Sequence, residues 1–454
     1  MFKSKIIILT SVVFCQFAQA QLVNPRDLTG SLGSVVDRVT RVEDKVVSKI
    51  DPPFTLSELP AIETLVTTPL EALPDILTIA DKINTPLFTE VLVENDWRAV
   101  KQQWILLSDI KTETLLLQLG AKVQFRKQYS GLGLTLIHFE MPPSLDSKKA
   151  LATHLPEEAM ASLDRNHIYQ TQSQDTMVDG SPIADSLASS QNQAFCDDPV
   201  KIGMVDSAIN VNHPAFAGKD IKAKSFLPAS LTSPSFHGSA VAGIMVGNIA
   251  EQPPLLVKAE LFSAEVFYRQ SDYAQGATLE AIVAGVDWLI RQGVKVVNMS
   301  LAGPDNLILE QVLNAVVKKG VVVVAAAGNK GPAAAPLFPA AYESVIAVSA
   351  IDKKSQPYRW SNRGAYIDFA ADGVNVLTVR GAQEYATESG TSMAAPVVSA
   401  AISCVVLKST DAKLVTKELV FERMSRLIQD MGPEGRDPIY GLGAVLRPYS
   451  NFIN

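Results

Sequence analysis

A serine near the C-terminal end of the chain lies in a segment that suits a nucleophile. Residues 390–396 have the sequence GTSMAAP, so Ser392 precedes three good helix formers. A helix N-terminus at this point would direct unpaired backbone N–H groups outward and would favour negative charge. A reactive serine needs such donors, because they hold the oxyanion that forms when its hydroxyl attacks a carbonyl. Pro396 is expected within about the first helical turn, where a missing N–H costs little.

Three further polar residues lie where the fold could bring them to this serine. Asp206 ends a short apolar run that predicts a buried strand, and Asn329 follows a second apolar strand. His237 precedes a run of small residues and a predicted helix. The carboxyl ends of parallel strands meet at one edge of a sheet, so Asp206 and Asn329 are predicted to share a site.

Strands and helices alternate along the second half of the chain. The predicted strands are mostly apolar segments at 202–206, 294–301, 321–326 and 344–350, of which 321–326 is entirely apolar, and the predicted helices lie at 279–292 and 307–319. Apolar strands between helices indicate a mostly parallel sheet that is covered by helices on both faces. The sequence therefore predicts an α/β fold with three layers.

The order Asp, His, Asn, Ser and the GTSMAAP segment resemble the subtilisin-like serine proteases, or subtilases. The resemblance covers residues 197–446 and implies a subtilisin-like fold and a serine endopeptidase that requires no cofactor. It implies that Ser392 is the nucleophile, that His237 is the general base, and that Asp206 orients the imidazole. Asn329 and the backbone N–H of Ser392 would form the oxyanion hole.

The resemblance also implies a set of substrate-binding residues, which are Ser300, Leu301, Ala302, Ala327 and Gly328. Four departures from the family pattern remove no catalytic atom, and they are Ala208, Ala240, Ala302 and Asp372. Ala302 stands where glycine is usual, and a Cβ there would project toward a bound peptide. We expect Ala302, together with the bulky Leu337, to narrow the pocket for the side chain that precedes the cleaved bond.

Charge and composition narrow the expected partners. The chain has 454 residues, a net charge of −7 and no basic tract, which argues against nucleic-acid binding. The charge itself indicates no partner, and the resemblance to subtilases implies a protein or peptide substrate. Family members often bind structural calcium, but the sequence has no D-x-[DN]-x-[DN]-G run that would indicate a metal site.

Residues 1–20 have the pattern of a signal peptide. Lys3 and Lys5 precede an apolar run at 6–17, and Ala-Gln-Ala at 18–20 suits cleavage. The alternative is a membrane anchor, but the run is too short to span a bilayer, so no stable anchor is expected. We expect export to the periplasm or the medium. Cleavage would leave Cys196 and Cys404, and the sequence does not decide whether they pair.

Three segments precede the expected catalytic domain at 197–454. Residues 21–94 combine an amphipathic helix with proline-rich pieces and are interpreted as a pro-region of short helices and linkers, with a helical partner-binding or surface-docking segment as the alternative. Residues 95–172 predict the order β-α-β-β-α-β, with the second helix at 156–163, and this split βαβ (ferredoxin-like) α+β arrangement resembles subtilase propeptides. In that family the propeptide inhibits the enzyme until it is cleaved, and an unrelated α+β domain is the alternative. Residues 173–196 are polar and are expected to be a linker that contains the processing site.

Two functions of other classes remain open at this point. One is a subtilase-fold protein without activity that binds or scaffolds, which the four intact site residues argue against. The other is a secreted interaction module in which residues 21–94 carry the main role.

Overall fold

The structure is a computed structural model, and it describes residues 73–171, 194–249, 253–272, 274–407 and 415–446. The expected signal peptide, the amphipathic helix within residues 21–72 and the linker residues 172–193 lie outside the described residues.

The N-terminal part, residues 73–171, is an antiparallel sheet with helices packed on it. Its strands are β1 (Ile76–Ala80), β2 (Pro86–Leu92), β3 (Arg98–Leu107), β4 (Lys122–Tyr129), β5 (Leu134–Glu140) and β6 (Leu163–Thr171). Its helices are α1 (Ile110–Gln118), α2 (Lys148–Ala152) and α3 (Glu157–Met160). Trp104, Leu116 and Phe139 form part of the buried cluster that joins the helices to the sheet.

Two sequence-based expectations for this part are wrong. Residues 73–94 were expected to form short helices and linkers, but β1 and β2 form a hairpin whose second strand pairs with β3. Apolar and β-branched residues in ILTIA and PLFTEVL favour this, and Pro86 begins its strand, where proline is tolerated. A helix was expected over residues 156–163, but α3 ends at Met160. The following residues form β6, whose first seven residues are all buried between neighbouring strands.

The C-terminal part, described from residue 194 onward, contains the remaining strands and helices. Its strands are β7 (Val200–Asp206), β8 (Asp220–Ser225), β9 (Ala259–Glu265), β10 (Tyr268–Arg269), β11 (Gln275–Thr278), β12 (Val296–Met299), β13 (Leu301–Ala302), β14 (Val322–Ala326), β15 (Ile346–Ile351), β16 (Ile367–Asp372), β17 (Val376–Arg380), β18 (Glu384–Glu388), β19 (Ile428–Gln429) and β20 (Ala444–Val445). Its helices are α4 (Phe236–Val246), α5 (Leu279–Gln292), α6 (Leu307–Val317), α7 (Thr391–Leu407) and α8 (Lys417–Met424).

A sheet in the order β19-β20-β16-β15-β14-β12-β7-β9-β8 forms the centre of the C-terminal part. Its neighbouring strands are parallel except for the β19–β20 pair. Successive side chains point to opposite faces, so Met204 belongs to the core under α4 and α7, whereas Val205 belongs to the core under α5 and α6. The predicted α/β arrangement with helices on both faces is confirmed for this part.

A disulfide joins Cys196 to Cys404, with an S–S distance of 2.06 Å and a sequence separation of 208 residues. The question that the sequence left open is thus answered in favour of pairing. The bond ties the chain that leads into β7 to the helix α7. Closing so long a loop restricts the unfolded chain, which is how a disulfide stabilises a fold in the entropic account.

The N-terminal and C-terminal parts share one sheet. Strand β6 pairs antiparallel with β11 on one side and with β13 on the other. Polar contacts add to this pairing, since the Asp164 carboxylate accepts a hydrogen bond from Leu307 N at 3.0 Å, at the start of α6. The Asp287 carboxylate of α5 accepts from Gly131 N at 2.7 Å and from Leu132 N at 3.2 Å. Backbone pairing and carboxylate acceptors therefore hold the two parts together.

Two buried histidines lie at this contact. His138 Nδ1 is 3.8 Å from Glu280 Oε2, and burial lowers the pKa of His138 to about 3, with the charge of Lys127 acting in the same direction. His167 Nδ1 accepts a hydrogen bond from Asn306 Nδ2 at 2.8 Å, and burial lowers the pKa of His167 to about 4. Both imidazoles are therefore neutral near pH 7.

We expect acid to weaken the folded state through these histidines. Unfolded histidine titrates near pH 6.5, so between pH 6.5 and about 4 the unfolded chain binds more protons and the free energy of unfolding falls as pH falls. Each histidine can change the free energy of unfolding by at most about 1.4 kcal/mol per pH unit. Replacing His138 or His167 with Gln should flatten the pH dependence of the urea midpoint. The exposed His154→Gln is the control, and equal slopes in all three variants would contradict the expectation.

Candidate active site

Asp206 is the last residue of β7, an interior strand, and it lies at the edge of the central sheet that is formed by the carboxyl ends of the parallel strands. Its side chain is fully buried. Its Oδ1 accepts a hydrogen bond from Ser207 N at 2.7 Å, and His237 Nδ1 lies 2.7 Å from the same oxygen. The carboxylate is thus fixed by its own backbone on one side and by an imidazole on the other, and the predicted proximity of these two residues is observed.

His237 is the second residue of α4, and a glycine next to it allows the close approach of this helix to β7. A Cβ on Gly238 would lie 2.3 Å from the Ser207 carbonyl oxygen and 2.5 Å from that of Ala208. Gly238 N instead donates to Ser207 Oγ at 2.8 Å. Because Nδ1 of His237 faces the carboxylate, a neutral imidazole with its proton on Nδ1 has Nε2 as the proton acceptor.

Ser392 is the second residue of α7 and is fully buried in the described structure. Its Oγ lies 3.5 Å from the carbonyl oxygen of Ser300, and Ser300 Oγ donates to the Ser392 carbonyl oxygen at 3.1 Å. The expectation for Pro396 is wrong, since this residue is the sixth of α7 rather than part of its first turn. Proline has no N–H for the carbonyl four residues earlier. The Ser300 hydroxyl supplies the donor that the Ser392 carbonyl would otherwise lack.

Asn329 follows β14 and is bound to the start of α7. Its Oδ1 accepts from Thr391 N and from Thr391 Oγ1, both at 3.0 Å. Thr391 Oγ1 in turn accepts from Gly328 N at 3.1 Å. Gly328 has φ +108°, and a Cβ there would lie 2.5 Å from Leu337 Cδ1. The sequence did not single out Thr391, although it is the residue that connects Asn329 to the serine helix.

The expected substrate-binding residues lie around this group. Leu301 and Ala302 form β13 and pair with Thr171 and Gln170 of β6. On its other side, β6 pairs with β11, which the sequence analysis did not predict because its four residues, QGAT, are too short and too polar to be recognised as a strand. The end of β6 therefore lies between two strands of the C-terminal part. Ser300, Ala327 and Gly328, the other expected residues, are buried nearby.

No group of three or more His, Cys, Asp or Glu side chains that could hold a metal ion occurs in the described ranges. Among the helices of these residues, none is both long and apolar enough to cross a membrane. His213 is the other histidine of the C-terminal part, and both of its ring nitrogens contact the backbone. Its Nδ1 accepts from Ala215 N at 3.1 Å, and its Nε2 lies 3.0 Å from the Glu384 carbonyl oxygen.

Comparison with known proteins identifies relatives of this chain. The profile described as the subtilase family matches residues 197–443. The minor extracellular protease Epr of Bacillus subtilis (strain 168) is 33% identical over 249 residues, which are 54% of this chain and 37% of that protein. Subtilisin E of the same strain is 28% identical over 325 residues, 68% of this chain and 79% of its own length. Thermitase of Thermoactinomyces vulgaris is 36% identical over 208 residues, 44% and 72% of the two chains.

We expect Gly238→Ala to break the contact between Asp206 and His237. The new Cβ would meet two backbone carbonyl oxygens, so α4 must move away from β7. The free energy of unfolding should fall by about 1–3 kcal/mol, as is usual for overpacking, and the downfield proton NMR signal of the hydrogen-bonded imidazole should disappear. Ser239→Ala, in the same helix, adds no atoms and should keep the signal. A retained signal at unchanged stability in Gly238→Ala would refute the expectation.

Proposed function

This chain belongs to the subtilase family of serine-type hydrolases, and we propose that it is an exported serine endopeptidase, made as a zymogen that cuts itself. The observation that carries the proposal is the 2.7 Å contact between the buried Asp206 carboxylate and His237 Nδ1, in a chain whose Ser392 is the second residue of α7. The proposed reaction uses no cofactor, because the nucleophile, the base and the oxyanion donors are all groups of this chain.

The proposed reaction is acyl transfer to Ser392. Its Oγ attacks the scissile carbonyl carbon while His237 Nε2 takes the hydroxyl proton, and Asp206 stabilises the imidazolium that forms. His237 then gives the proton to the leaving amine as the C–N bond breaks, which leaves an acyl-enzyme. Water attacks this ester with His237 again as the base, and the return of the proton to Ser392 releases the acid product.

Two donors would hold the oxyanion. Asn329 Oδ1 accepts both hydrogen bonds from Thr391, and Nδ2 is the Asn329 group that would donate to a substrate oxygen. The second donor is the backbone N–H of Ser392, near the positive end of the α7 dipole. Loss of one such donor lowers turnover about 10²–10³-fold, a magnitude that is known from a subtilisin.

The N-terminal part would act as an inhibitory propeptide. The end of β6 pairs antiparallel with the expected substrate-binding residues Leu301 and Ala302, as a bound peptide would. Ser300, which precedes Leu301, makes two contacts with Ser392. Its hydroxyl donates to the Ser392 carbonyl oxygen, and its carbonyl oxygen lies near Ser392 Oγ. Thr171, the last described residue of β6, lies opposite Leu301, the residue that follows Ser300. We therefore expect the cut close after Thr171, at the start of the polar linker at 173–196.

Export is proposed from the signal-peptide pattern at residues 1–20. The name of one relative, the minor extracellular protease Epr, agrees with this destination. The disulfide between Cys196 and Cys404 also agrees, because such bonds persist in oxidising compartments. We propose a periplasmic or secreted enzyme that acts on proteins or peptides.

The intact masses of the purified wild type and of Ser392→Ala test the zymogen and the nucleophile together. We expect the wild type to lose its N-terminal part and the variant to stay whole, because only the wild type has the attacking hydroxyl. The mass of the product gives the position of the cut. If both chains stay whole and a fluorophosphonate probe leaves Ser392 unlabelled, the proposed activity is wrong. Equal cutting of both chains would refute self-processing.

We further propose that Leu337 and Ala302 favour small or slender side chains before the cleaved bond. Leu337 is 3% exposed, and its Cδ1 would lie 2.5 Å from a Cβ on Gly328. Leu337→Gly should raise kcat/KM for peptides with Phe or Tyr at this position about tenfold or more. A difference of a few methylene groups in an apolar pocket changes kcat/KM by at least this factor. Peptides with Ala at this position serve as the control. A wild-type profile that is dominated by large aromatic residues would contradict the proposal.

A further inference from the structure

The carboxylate of Glu90, in strand β2, is fully buried between the two parts of the molecule. Its Oε2 accepts from Arg98 Nε at 2.9 Å and from Gln270 Nε2 at 2.7 Å. Its Oε1 accepts from the Tyr268 hydroxyl at 2.7 Å. Arg98 belongs to the N-terminal part, whereas Tyr268 and Gln270 belong to the C-terminal part. One buried charge thus receives hydrogen bonds from both parts.

The hairpin β1–β2 makes this contact outside the β-α-β-β-α-β unit that the sequence predicts. The Phe88 ring packs edge-on against Tyr268, with ring centroids 5.3 Å apart. The hairpin turn, with Asp81 and Lys82, forms one wall of a cavity of about 570 Å³. Ser235 and Phe236, which immediately precede His237, also line this cavity. The hairpin therefore extends along the C-terminal part to the segment that leads into the catalytic helix α4.

The two donors from the C-terminal part are suited to a carboxylate. Burial raises the pKa of Tyr268 well above its ordinary value, so its hydroxyl keeps the proton that it donates. Gln270 is 8% exposed. Its side-chain amide does not titrate, so its N–H groups remain hydrogen-bond donors. Hydrogen bonds to a buried charge are about twice as strong as those between neutral groups. Separation of the two parts would break both of these bonds, while the Glu90–Arg98 ion pair would stay together within the N-terminal part.

We propose that Tyr268 and Gln270 form a second docking surface, which binds the β1–β2 hairpin of this same chain through the Glu90 carboxylate. The consequence rests on the proposed function: after the chain is cut beyond β6, the hairpin keeps the N-terminal part on the catalytic part and delays activity. The cleft contact of β6 and the hairpin contact use different residues: β11 and β13 hold β6, whereas Gln270 and Tyr268 hold the hairpin, with Tyr268 in β10, the strand that pairs with β11.

Hydrogen exchange tests the docking itself without any catalysis. In full-length Ser392→Ala, addition of Tyr268→Phe removes one hydroxyl and leaves the ring in place. We expect the backbone amides of residues 86–92 to exchange about tenfold faster, as the loss of a charged hydrogen bond implies. Tyr440→Phe is the matched control, because Tyr440 donates to the Ser355 carbonyl oxygen far from the hairpin in sequence. Unchanged protection of residues 86–92 in Tyr268→Phe would overturn the proposal.

Release of the cut N-terminal part tests the consequence. In the otherwise wild-type chain, Tyr268→Phe and Glu90→Gln should both shorten the delay between the cut and the onset of peptide cleavage about tenfold. Glu113→Gln is the control for the latter, since Glu113 pairs with Arg126 within the N-terminal part. Equal delays in all chains would overturn the proposal. A wild type that neither cuts itself nor reacts with a fluorophosphonate would instead refute the proposed function, and the exchange experiment would still decide the docking.

Discussion

The hydrogen bond between the buried Asp206 carboxylate and His237 is the interaction on which the candidate site depends. Neither residue can move alone, since Ser207 N holds the carboxylate and Gly238 N holds the helix start against Ser207 Oγ. A buried carboxylate is costly without such donors. The central sheet and α4 must therefore pack closely enough to supply them, and the absence of a Cβ on Gly238 permits that distance.

Side-chain hydrogen bonds also attach the start of α7, the helix that contains Ser392, to the same sheet. Pro396 leaves the Ser392 carbonyl without its helical donor, and Ser300 Oγ replaces it. Thr391 is held by Asn329 Oδ1 through two hydrogen bonds. The start of α7 is thus tied to the ends of β12 and β14 by side chains rather than by helix bonds alone. The Cys196–Cys404 disulfide attaches the same helix to the chain before β7.

The sequence predicts the features whose causes are local. The helix expected at 279–292 occupies those residues, and Asp206 ends a strand as expected, because periodicity and apolar runs determine both. Features that depend on distant residues were missed. The hairpin β1–β2 exists because it pairs with β3 and packs on Tyr268, and proline-rich local sequence gives no sign of either contact. Likewise, only the folded chain brings the Ser300 hydroxyl to the Ser392 carbonyl. The four residues proposed for catalysis were recognised from motifs, whereas the side chains that position them were not.

The shared sheet has a consequence for the proposed zymogen. Strand β6 belongs to the N-terminal part, yet β11 and β13 of the C-terminal part pair with it on its two sides. A cut beyond β6 breaks one covalent bond and none of these hydrogen bonds. The buried Asp164 and Asp287 carboxylates at the helices α6 and α5 add contacts that a cut also leaves intact. In the proposed zymogen, cleavage and activation would therefore be separate events, and the strength of the remaining contacts, rather than the chemistry at Ser392, would set the time between them.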